Sequence, residues 1–375
     1  MTTESALFGD TPGDTVLTAP PDDYAMGGER RWLRLDSGPE RGRKLYFSDQ
    51  MIGDAGANAP VILLVHGNPE SSYTYRKVVA DLRANPPAGG ARVVVPDHIG
   101  FGLSDQARHE MVDMHHAANL IQLVEALDLH DICLVVHDWG GPIGIGALLL
   151  NAPERVTGLM VLNTTVFPMP SDHPTYTTYP IKYLFPWTRS GRIIPDALWG
   201  THAAFALGVK TNGPVGLARQ YAGFVLRHRS RTLPPGESPD LAVFRDQFAS
   251  RANARSSKRM VRQTGVWGHG YAYTDPTRPA EPQDNHAFYR SIQDRLPALW
   301  GPAGQDIPVA AVFGGWDPCG KPSVRLQWVE ALPQLAGHLE VFEHAGHFIE
   351  ESRPAPIAAA VRGLCRRRRP GRGVG

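Results

Sequence analysis

Residues 132–141 read ICLVVHDWGG, and this stretch decides the fold. The apolar run ICLVV predicts a β-strand that is buried on both faces. A polar pair, His137 and Asp138, follows directly, and the two glycines after Trp139 allow a helix to begin close behind. A side chain on such a sharp turn projects above the carboxyl edge of the sheet. The pattern therefore predicts a nucleophile elbow centred on Asp138, and His137 is expected to form hydrogen bonds within the loops.

Taken alone, the elbow segment has a second interpretation. The common elbow has Ser at its centre and Gly two positions earlier, whereas these positions hold Asp138 and Val136 here. An Asp at the start of a helix is also a frequent N-cap, which would make its role structural. The rest of the chain has to decide between the two interpretations.

Similar apolar runs recur on both sides of this strand. They lie at residues 61–65, 92–96 and 158–162, and helix-like patterns separate them at residues 73–84, 111–127 and 142–151. Such an alternation predicts a parallel sheet with right-handed crossovers. Two earlier strand patterns, at residues 31–35 and 44–48, are joined by the turn-forming sequence GPERGR and predict an antiparallel hairpin.

The alternation stops after residue 165 and resumes near the end of the chain. Residues 166–296 are rich in Pro, Tyr, Trp and Arg and contain only short helical patterns, which indicates an inserted, mainly helical cap domain. We therefore predict an α/β fold with a mostly parallel, eight-stranded sheet flanked by helices, built from residues 31–165 and 297–366. Residues 1–30 are expected to be irregular, and residues 367–375, which are rich in Arg, are expected to form a disordered tail.

Three other predicted strand ends carry polar residues that complement the elbow. Asn68 follows the strand at 61–65, Asp317 follows a strand pattern at 309–313, and His347 follows one at 338–343. Because the carboxyl ends of parallel strands meet at one edge of a sheet, we expect these side chains to converge on Asp138. The chain order nucleophile, acid, histidine is typical of the α/β-hydrolase fold. The strand end at residues 163–165 reads NTT and has no carboxylate, which leaves Asp317 as the predicted acid.

Several motifs resemble those of the haloalkane dehalogenases of the α/β-hydrolase superfamily. They are HGNPESS, PDHIGFGLSD, VVHDWGGPIG, the Asp at position 317, and HAGHFIEE. The resemblance covers roughly residues 30–165 and 305–365 and does not include the predicted cap. It implies that Asn68 and Trp139 bind the departing halide through their side-chain N–H groups. The alternative is that Trp139 only fills space and that Asn68 is a turn residue before Pro69.

The chemistry of these residues defines a two-step reaction. The Asp138 carboxylate can displace a leaving group from carbon and form an alkyl ester on the enzyme. His347 would then act as the general base for a water that hydrolyses the ester, while Asp317 orients the imidazole. The backbone N–H groups of Trp139 and Asn68 are expected to stabilise the oxyanion. We therefore expect hydrolytic dehalogenation of haloalkanes.

Two other functions stay open at the level of sequence. An epoxide hydrolase could use the same three residues together with cap tyrosines that protonate the opening ring. Seven tyrosines fall in the predicted cap: Tyr176, Tyr179, Tyr183, Tyr221, Tyr271, Tyr273 and Tyr289. A non-catalytic binding protein on the same scaffold is the second alternative, but it predicts the loss of a triad residue, and all three are present.

Bulk composition limits the partners that we expect. The 375 residues carry 38 basic and 37 acidic side chains, a net charge of +1, which predicts neither nucleic acid nor membrane binding. Three cysteines are too few and too scattered for a disulfide scaffold, and the chain has no apolar leader or span, so a cytoplasmic location is expected. We predict no cofactor and no metal, with a small halogenated hydrophobic molecule and water as substrates. The sequence does not indicate an oligomeric state.

Overall fold

The structure is a computed structural model that describes residues 8–56, 58–172, 187–211, 213–275, 278 and 281–366. Within these residues the main sheet has nine strands in the order β1-β2-β3-β5-β4-β6-β7-β10-β11. The strands are β1 (Phe8–Gly9), β2 (Glu29–Arg34), β3 (Lys44–Ile52), β4 (Val61–Val65), β5 (Ala91–Pro96), β6 (Ile132–His137), β7 (Val156–Leu162), β10 (Val309–Gly314) and β11 (Leu339–Phe342). The first three strands pair antiparallel, as does β3 with β5, and all other pairs are parallel. The predicted hydrolase-type sheet is confirmed.

Two details of the sequence prediction are wrong. The sheet has nine described strands and not eight, because Phe8–Gly9 pairs with the edge of β2 at Leu33 and Trp32. The segment expected to be irregular therefore contains this short strand, a 3-10 turn at Asp22–Ala25 and the first residues of β2. A two-residue strand has no periodic pattern of its own, and it forms because the edge of β2 offers unpaired backbone groups.

Helices cover both faces of the sheet. The core helices are α1 (Arg76–Ala84), α2 (Asp113–Ala126), α3 (Gly140–Asn151), α10 (Pro322–Ala331), α11 (Ile349–Ser352) and α12 (Pro354–Arg366). In β4, Leu63 and Val65 belong to one apolar cluster, and Ile62 and Leu64 belong to the other. This division explains the continuous apolar run, since each residue of the strand is buried whichever face it points to.

Between β7 and β10 the described residues form mainly helices. They are α4 (Trp187–Ile193), α5 (Trp199–Gly208), α6 (Pro214–Leu226), α7 (Leu241–Asp246), α8 (Arg251–Gln263) and α9 (His286–Leu299), with a small hairpin of β8 (Ala272–Tyr273) and β9 (Gln283–Asp284). Helix α9 crosses the predicted domain boundary at residue 297 and packs on α3. The division into core and cap stays a prediction, and the tail at 367–375 lies outside the described residues. No helix in the described ranges is long and apolar enough to cross a membrane.

Candidate active site

The turn after β6 has the backbone of a nucleophile elbow. Asp138 has φ of 49°, a left-handed conformation that non-glycine residues adopt at a cost of about 1–3 kcal/mol. Helix α3 begins directly behind it, and a Cβ on Gly140 would lie only 2.2 Å from the carbonyl oxygen of Val65. Gly140 is therefore needed for the helix to approach β4 this closely. The hydroxyl of Thr164, in the loop after β7, donates a hydrogen bond to the Asp138 carbonyl at 2.5 Å and holds the strained turn.

The structure brings the three predicted triad residues together. His347 Nε2 lies 3.2 Å from Asp138 Oδ2, and His347 Nδ1 lies 2.5 Å from Asp317 Oδ2. Asp317 follows β10, and its other carboxylate oxygen accepts the backbone N–H of Cys319 at 2.7 Å. We call Asp138, His347 and Asp317 the front triad. The imidazole is thus held between two carboxylates, and each of its nitrogens faces one of them.

Opposing effects act on the pKa of His347. Burial by itself would lower this pKa, but the negative charges of Asp317 and Asp138 and their hydrogen bonds outweigh burial and raise the pKa well above the usual value for histidine. The imidazolium is consequently the favoured form when both carboxylates are ionised. Any process that neutralises Asp138 removes part of this stabilisation.

Asn68 contacts Asp138, the predicted nucleophile, through its backbone. Its N–H donates to Asp138 Oδ1 at 2.7 Å, which occupies one carboxylate oxygen and leaves Oδ2 beside His347. The Asn68 side chain is oriented by Ser257 of α8, whose hydroxyl donates to Oδ1 at 2.5 Å and whose carbonyl accepts from Nδ2 at 3.3 Å. Ser257 is held in turn by the indole of Trp199 at 2.8 Å. One N–H of the Asn68 amide is not used by these bonds.

Trp139 lies against a tryptophan that the sequence prediction did not single out. The ring of Trp267 stacks on that of Trp139 with centroids 4.3 Å apart and an interplanar angle of 3°. Trp267 donates its indole N–H to the carbonyl of Thr165 at 2.8 Å, whereas no described residue accepts from the indole N–H of Trp139. The predicted halide residue is therefore the one with a free donor.

A small cavity joins these side chains. It has a volume of about 40 Å³ and is lined by Asn68, Pro69, Asp138, Trp139, Val261, Thr264, Trp267, Asp317, Pro318, Cys319, His347 and Phe348. All five predicted site residues line it, together with apolar groups from the inserted helices. A wider surface cleft of about 480 Å³ shares Phe348 with this cavity but contains no residue of the front triad, so the smaller cavity is the candidate active site.

The described cap tyrosines lie away from this cavity. Tyr289 is buried and donates to Asp113 at 2.6 Å, Tyr271 and Tyr273 pack on the guanidinium of Arg259, and Tyr221 packs on Phe205. None of these four lines the cavity. Tyr176, Tyr179 and Tyr183 lie outside the described residues.

A second group of ionisable side chains lies behind the elbow, and the sequence prediction anticipated only that its His137 would form hydrogen bonds within the loops. Glu70, His137 and Glu350, which we call the rear cluster, are fully buried, and their ligand-type atoms lie within 4.8 Å of one another. Such a group could be considered for a metal ion. However, Nδ1 of His137 faces Glu70 at 2.9 Å and Nε2 faces Glu350 at 3.4 Å, so opposite sides of the ring serve the two carboxyl groups. One ion cannot contact both carboxyls through a single ring nitrogen, and the arrangement fits hydrogen bonding better.

Comparison with known proteins identifies the fold family of the chain. A family model described as the alpha/beta hydrolase fold matches residues 60–354. A cis-3-alkyl-4-alkyloxetan-2-one decarboxylase of Shewanella oneidensis is 28% identical over 314 residues, 83% of this chain and 81% of that protein. Haloalkane dehalogenase 1 of Mycobacterium bovis is 29% identical over 304 residues, 80% and 81% of the two chains.

Solved structures share the fold. The tetrameric haloalkane dehalogenase DpaA from Paraglaciecola agarilytica NO2 has a TM-score of 0.58 at 21% identity and covers 93% of this chain and 97% of that chain. The chain belongs to the α/β-hydrolase fold family. Its resemblance to haloalkane dehalogenases, first indicated by the motifs around Asn68, Asp138 and His347, is confirmed.

Proposed function

We propose that this protein is a hydrolytic dehalogenase that cleaves the carbon–halogen bond of small haloalkanes through an ester on Asp138. One molecule of haloalkane and one of water would give an alcohol, a halide ion and a proton. The observation that carries the proposal is the position of Asp138, whose oxygen Oδ2 lies 3.2 Å from the imidazole of His347 in a cavity lined by Trp139 and Asn68.

In the first step the Asp138 carboxylate attacks the carbon that bears the halogen. The carbon–halogen bonding pair leaves with the halide, and a carbon–oxygen bond forms to Asp138. A carboxylate needs no base for this displacement, so His347 is not required. The indole N–H of Trp139 and the unused amide N–H of Asn68 would stabilise the departing anion without adding a positive charge.

The ester changes the charge next to His347. Its formation neutralises Asp138, which is one of the two carboxylates that raise the pKa of His347. The imidazolium then releases its proton more readily, and the neutral ring can accept a proton from the attacking water. Asp317 keeps the ring oriented throughout. The alkylation step thus prepares the base that the hydrolysis step needs.

The backbone around the elbow supports the hydrolysis step. When water attacks the ester carbonyl, negative charge develops on the former carboxylate oxygen that Asn68 N–H already contacts at 2.7 Å. A preorganised donor of this kind is worth about 2.7–4 kcal/mol of barrier. Collapse of the intermediate releases the alcohol and restores the Asp138 carboxylate.

A second candidate reaction comes from the Shewanella oneidensis relative. That protein is a cis-3-alkyl-4-alkyloxetan-2-one decarboxylase, and this chain matches 81% of its length. Opening of a strained four-membered lactone also places an anion opposite an attacking carboxylate, so Trp139 and Asn68 could serve either leaving group. The products would be an alkene and carbon dioxide, with no consumption of water.

The alternatives from the sequence are less well supported. An epoxide hydrolase would need an acid for the ring oxygen, and none of the four described cap tyrosines reaches the cavity. A binding protein is disfavoured because the front triad is complete and connected.

The decisive experiment uses His347→Phe, which removes the base but leaves the nucleophile. Incubation with bromoethane or 1-bromobutane should stop after the first step, and intact-mass spectrometry should detect one alkyl group per chain. The double variant Asp138→Asn/His347→Phe is the matched control and should stay unmodified. An unmodified His347→Phe protein would contradict the proposal.

Product analysis of the wild-type enzyme separates the candidate reactions. Bromide from 1-bromobutane supports dehalogenation, alkene from a cis-3,4-dialkyloxetan-2-one supports decarboxylation, and diol from styrene oxide supports epoxide hydrolysis. Alkene or diol without bromide would replace the proposed function.

A further inference from the structure

The rear cluster connects the two loops that carry the proposed chemistry. Glu70 Oε2 accepts the backbone N–H of Gly67 at 3.2 Å, and the next N–H in the chain, that of Asn68, is the donor to Asp138. On the other side, His137 Nε2 lies 2.8 Å from the carbonyl oxygen of His347. The cluster therefore contacts the backbone of two segments. One is the loop that contains Gly67 and Asn68, which we call the oxyanion loop, and the other is the backbone of His347.

The hydrogen bonds of His137 determine where protons must lie. A carbonyl oxygen can only accept, so Nε2 must carry a hydrogen in its contact with His347. The contact between Nδ1 and Glu70 Oε2 is 2.9 Å and also requires a hydrogen. Either Glu70 is a neutral acid beside a neutral imidazole, or it is a carboxylate beside an imidazolium. In both cases the Glu70–His137 pair has no net charge.

Glu350 completes the cluster from α11. Its Oε1 accepts the hydroxyl of Thr74 at 2.7 Å, and its Oε2 is buried and lies 3.4 Å from His137 Nε2. Burial raises the pKa of Glu350 to about 8, and the neighbouring Glu70 adds to this. Burial likewise raises the pKa of Glu70 to about 8, with a further contribution from Asp138. Both carboxyl groups thus retain protons at neutral pH far more readily than an exposed Glu.

We propose that Glu70, His137 and Glu350 act as positioning residues. They hold the oxyanion loop and the His347 backbone in their relative positions only while the cluster keeps its protons. Loss of a proton leaves the cluster with an uncompensated negative charge on a buried carboxyl group, and the remaining protons no longer fit the hydrogen bonds to His137. The cluster, and not the front triad, then sets the alkaline limit of turnover. This inference rests on the proposed function for its kinetic test but not for its stability test.

Other ionisable groups face the cluster and are part of its environment. Asp138 and His347 lie on the catalytic side, and His66 interacts with His137 from the loop after β4. Tyr75 faces both glutamates from the 3-10 turn before α1 and donates its hydroxyl to the Val65 carbonyl at 2.9 Å. Burial raises the pKa of Tyr75 well above its usual range, and the charge of Glu350 adds to this, so Tyr75 does not titrate in the range of the test.

The kinetic experiment compares pH profiles of kcat for haloalkane turnover. Glu70→Gln keeps the shape of the side chain and cannot lose a proton. Its Oε1 can replace Glu70 Oε2, the single atom that accepts the Gly67 N–H and faces His137 Nδ1. We expect kcat below about pH 7 to stay within about threefold of wild type, and the fall above about pH 8 to move to higher pH by at least about one unit. Glu70→Ala should lower kcat by about 10- to 100-fold with little change in KM, because the oxyanion loop and the His347 backbone lose their relative position.

The matched control is Glu351→Gln. Glu351 is the next residue on α11, but it pairs with Arg76 and Lys77 outside the cluster. Its alkaline limit should equal that of wild type. A Glu70→Gln enzyme that keeps the wild-type alkaline limit would overturn the proposal, and so would a Glu70→Ala enzyme with wild-type kcat.

The stability experiment needs no substrate. A carboxyl group whose pKa is raised in the folded protein stabilises the fold at low pH, and this contribution is lost as the pH rises through the folded pKa. Relative to wild type, the Tm of Glu70→Gln should therefore increase between about pH 5 and about pH 8. The Tm difference for Glu351→Gln should stay constant, since Arg and Lys partners keep their charge in this range. A Tm difference between Glu70→Gln and wild type that does not change with pH would overturn the proposal, even if dehalogenation itself is confirmed.

Discussion

The front triad and the rear cluster contain the same chemical groups on opposite sides of one elbow. Each places an imidazole between two carboxyl groups, yet their protonation differs. In the front triad the pKa of the imidazole is raised, with burial opposed by its two anionic partners. In the rear cluster the pKa of each carboxyl group is raised to about 8, chiefly by burial.

The two sites differ in the hydrogen bonds to their carboxyl groups and in the exposure of the His347 side chain. Asp138 and Asp317 each accept a backbone N–H at 2.7 Å in addition to facing the imidazole, and the His347 side chain is 12% exposed at the cavity. The rear carboxyl groups are completely enclosed, and Glu70 receives its backbone N–H at 3.2 Å. In the proposed mechanism the front triad gains and loses a proton during turnover, whereas the rear cluster keeps its protons.

The largest effect should follow a change of the proposed nucleophile. Asp138→Asn replaces an anionic attacking group with an amide, and kcat should fall by about 10⁴-fold or more. Halide release measures this, and a lag in product formation would report slow deamidation back to Asp. Asp36→Asn on the surface is the control and should match wild type. Substantial immediate activity of Asp138→Asn would remove Asp138 from the mechanism.

A change of the acid should have a smaller effect with a diagnostic pH dependence. Asp317→Asn should lower kcat by about 10³- to 10⁴-fold, because the imidazole loses its orienting partner. It also removes a negative charge that raises the pKa of His347, so the acidic limb of the residual activity should shift to lower pH. A profile of kcat against pH tests this, and an unshifted acidic limb would contradict the role assigned to Asp317.

The smallest effect concerns the leaving group. Trp139→Phe keeps the stacked ring but removes the indole N–H, and it should slow halide departure by about 10- to 100-fold while ester hydrolysis is unchanged. Rapid-quench measurement of the alkylation step should show a larger loss for chloroalkanes than for iodoalkanes. Trp267→Phe is the control, since its N–H serves Thr165 and not the cavity. Equal losses in the two variants would indicate that Trp139 acts only through packing.

Much of the candidate active site around the front triad could be predicted from one sequence, because its residues follow the ends of strands. The carboxyl ends of parallel strands meet at one edge of the sheet, so Asn68, Asp138 and Asp317 were expected to converge although they are far apart in the chain. Trp267 and Ser257 could not be predicted in the same way. They lie in the inserted segment, whose packing over the sheet depends on contacts that leave no periodic signal in the chain.

The amino-acid sequence alone determined the alternation of strands and helices, the elbow at Asp138 and the chain order of Asp138, Asp317 and His347, because apolar periodicity and glycine placement act locally. Only the tertiary structure brought Glu70 and Glu350 to opposite sides of His137 and stacked Trp267 on Trp139. The protonation of a buried carboxyl group depends on every charge and dipole around it. Those neighbours come from several elements at once, so this property is defined only when the chain has folded.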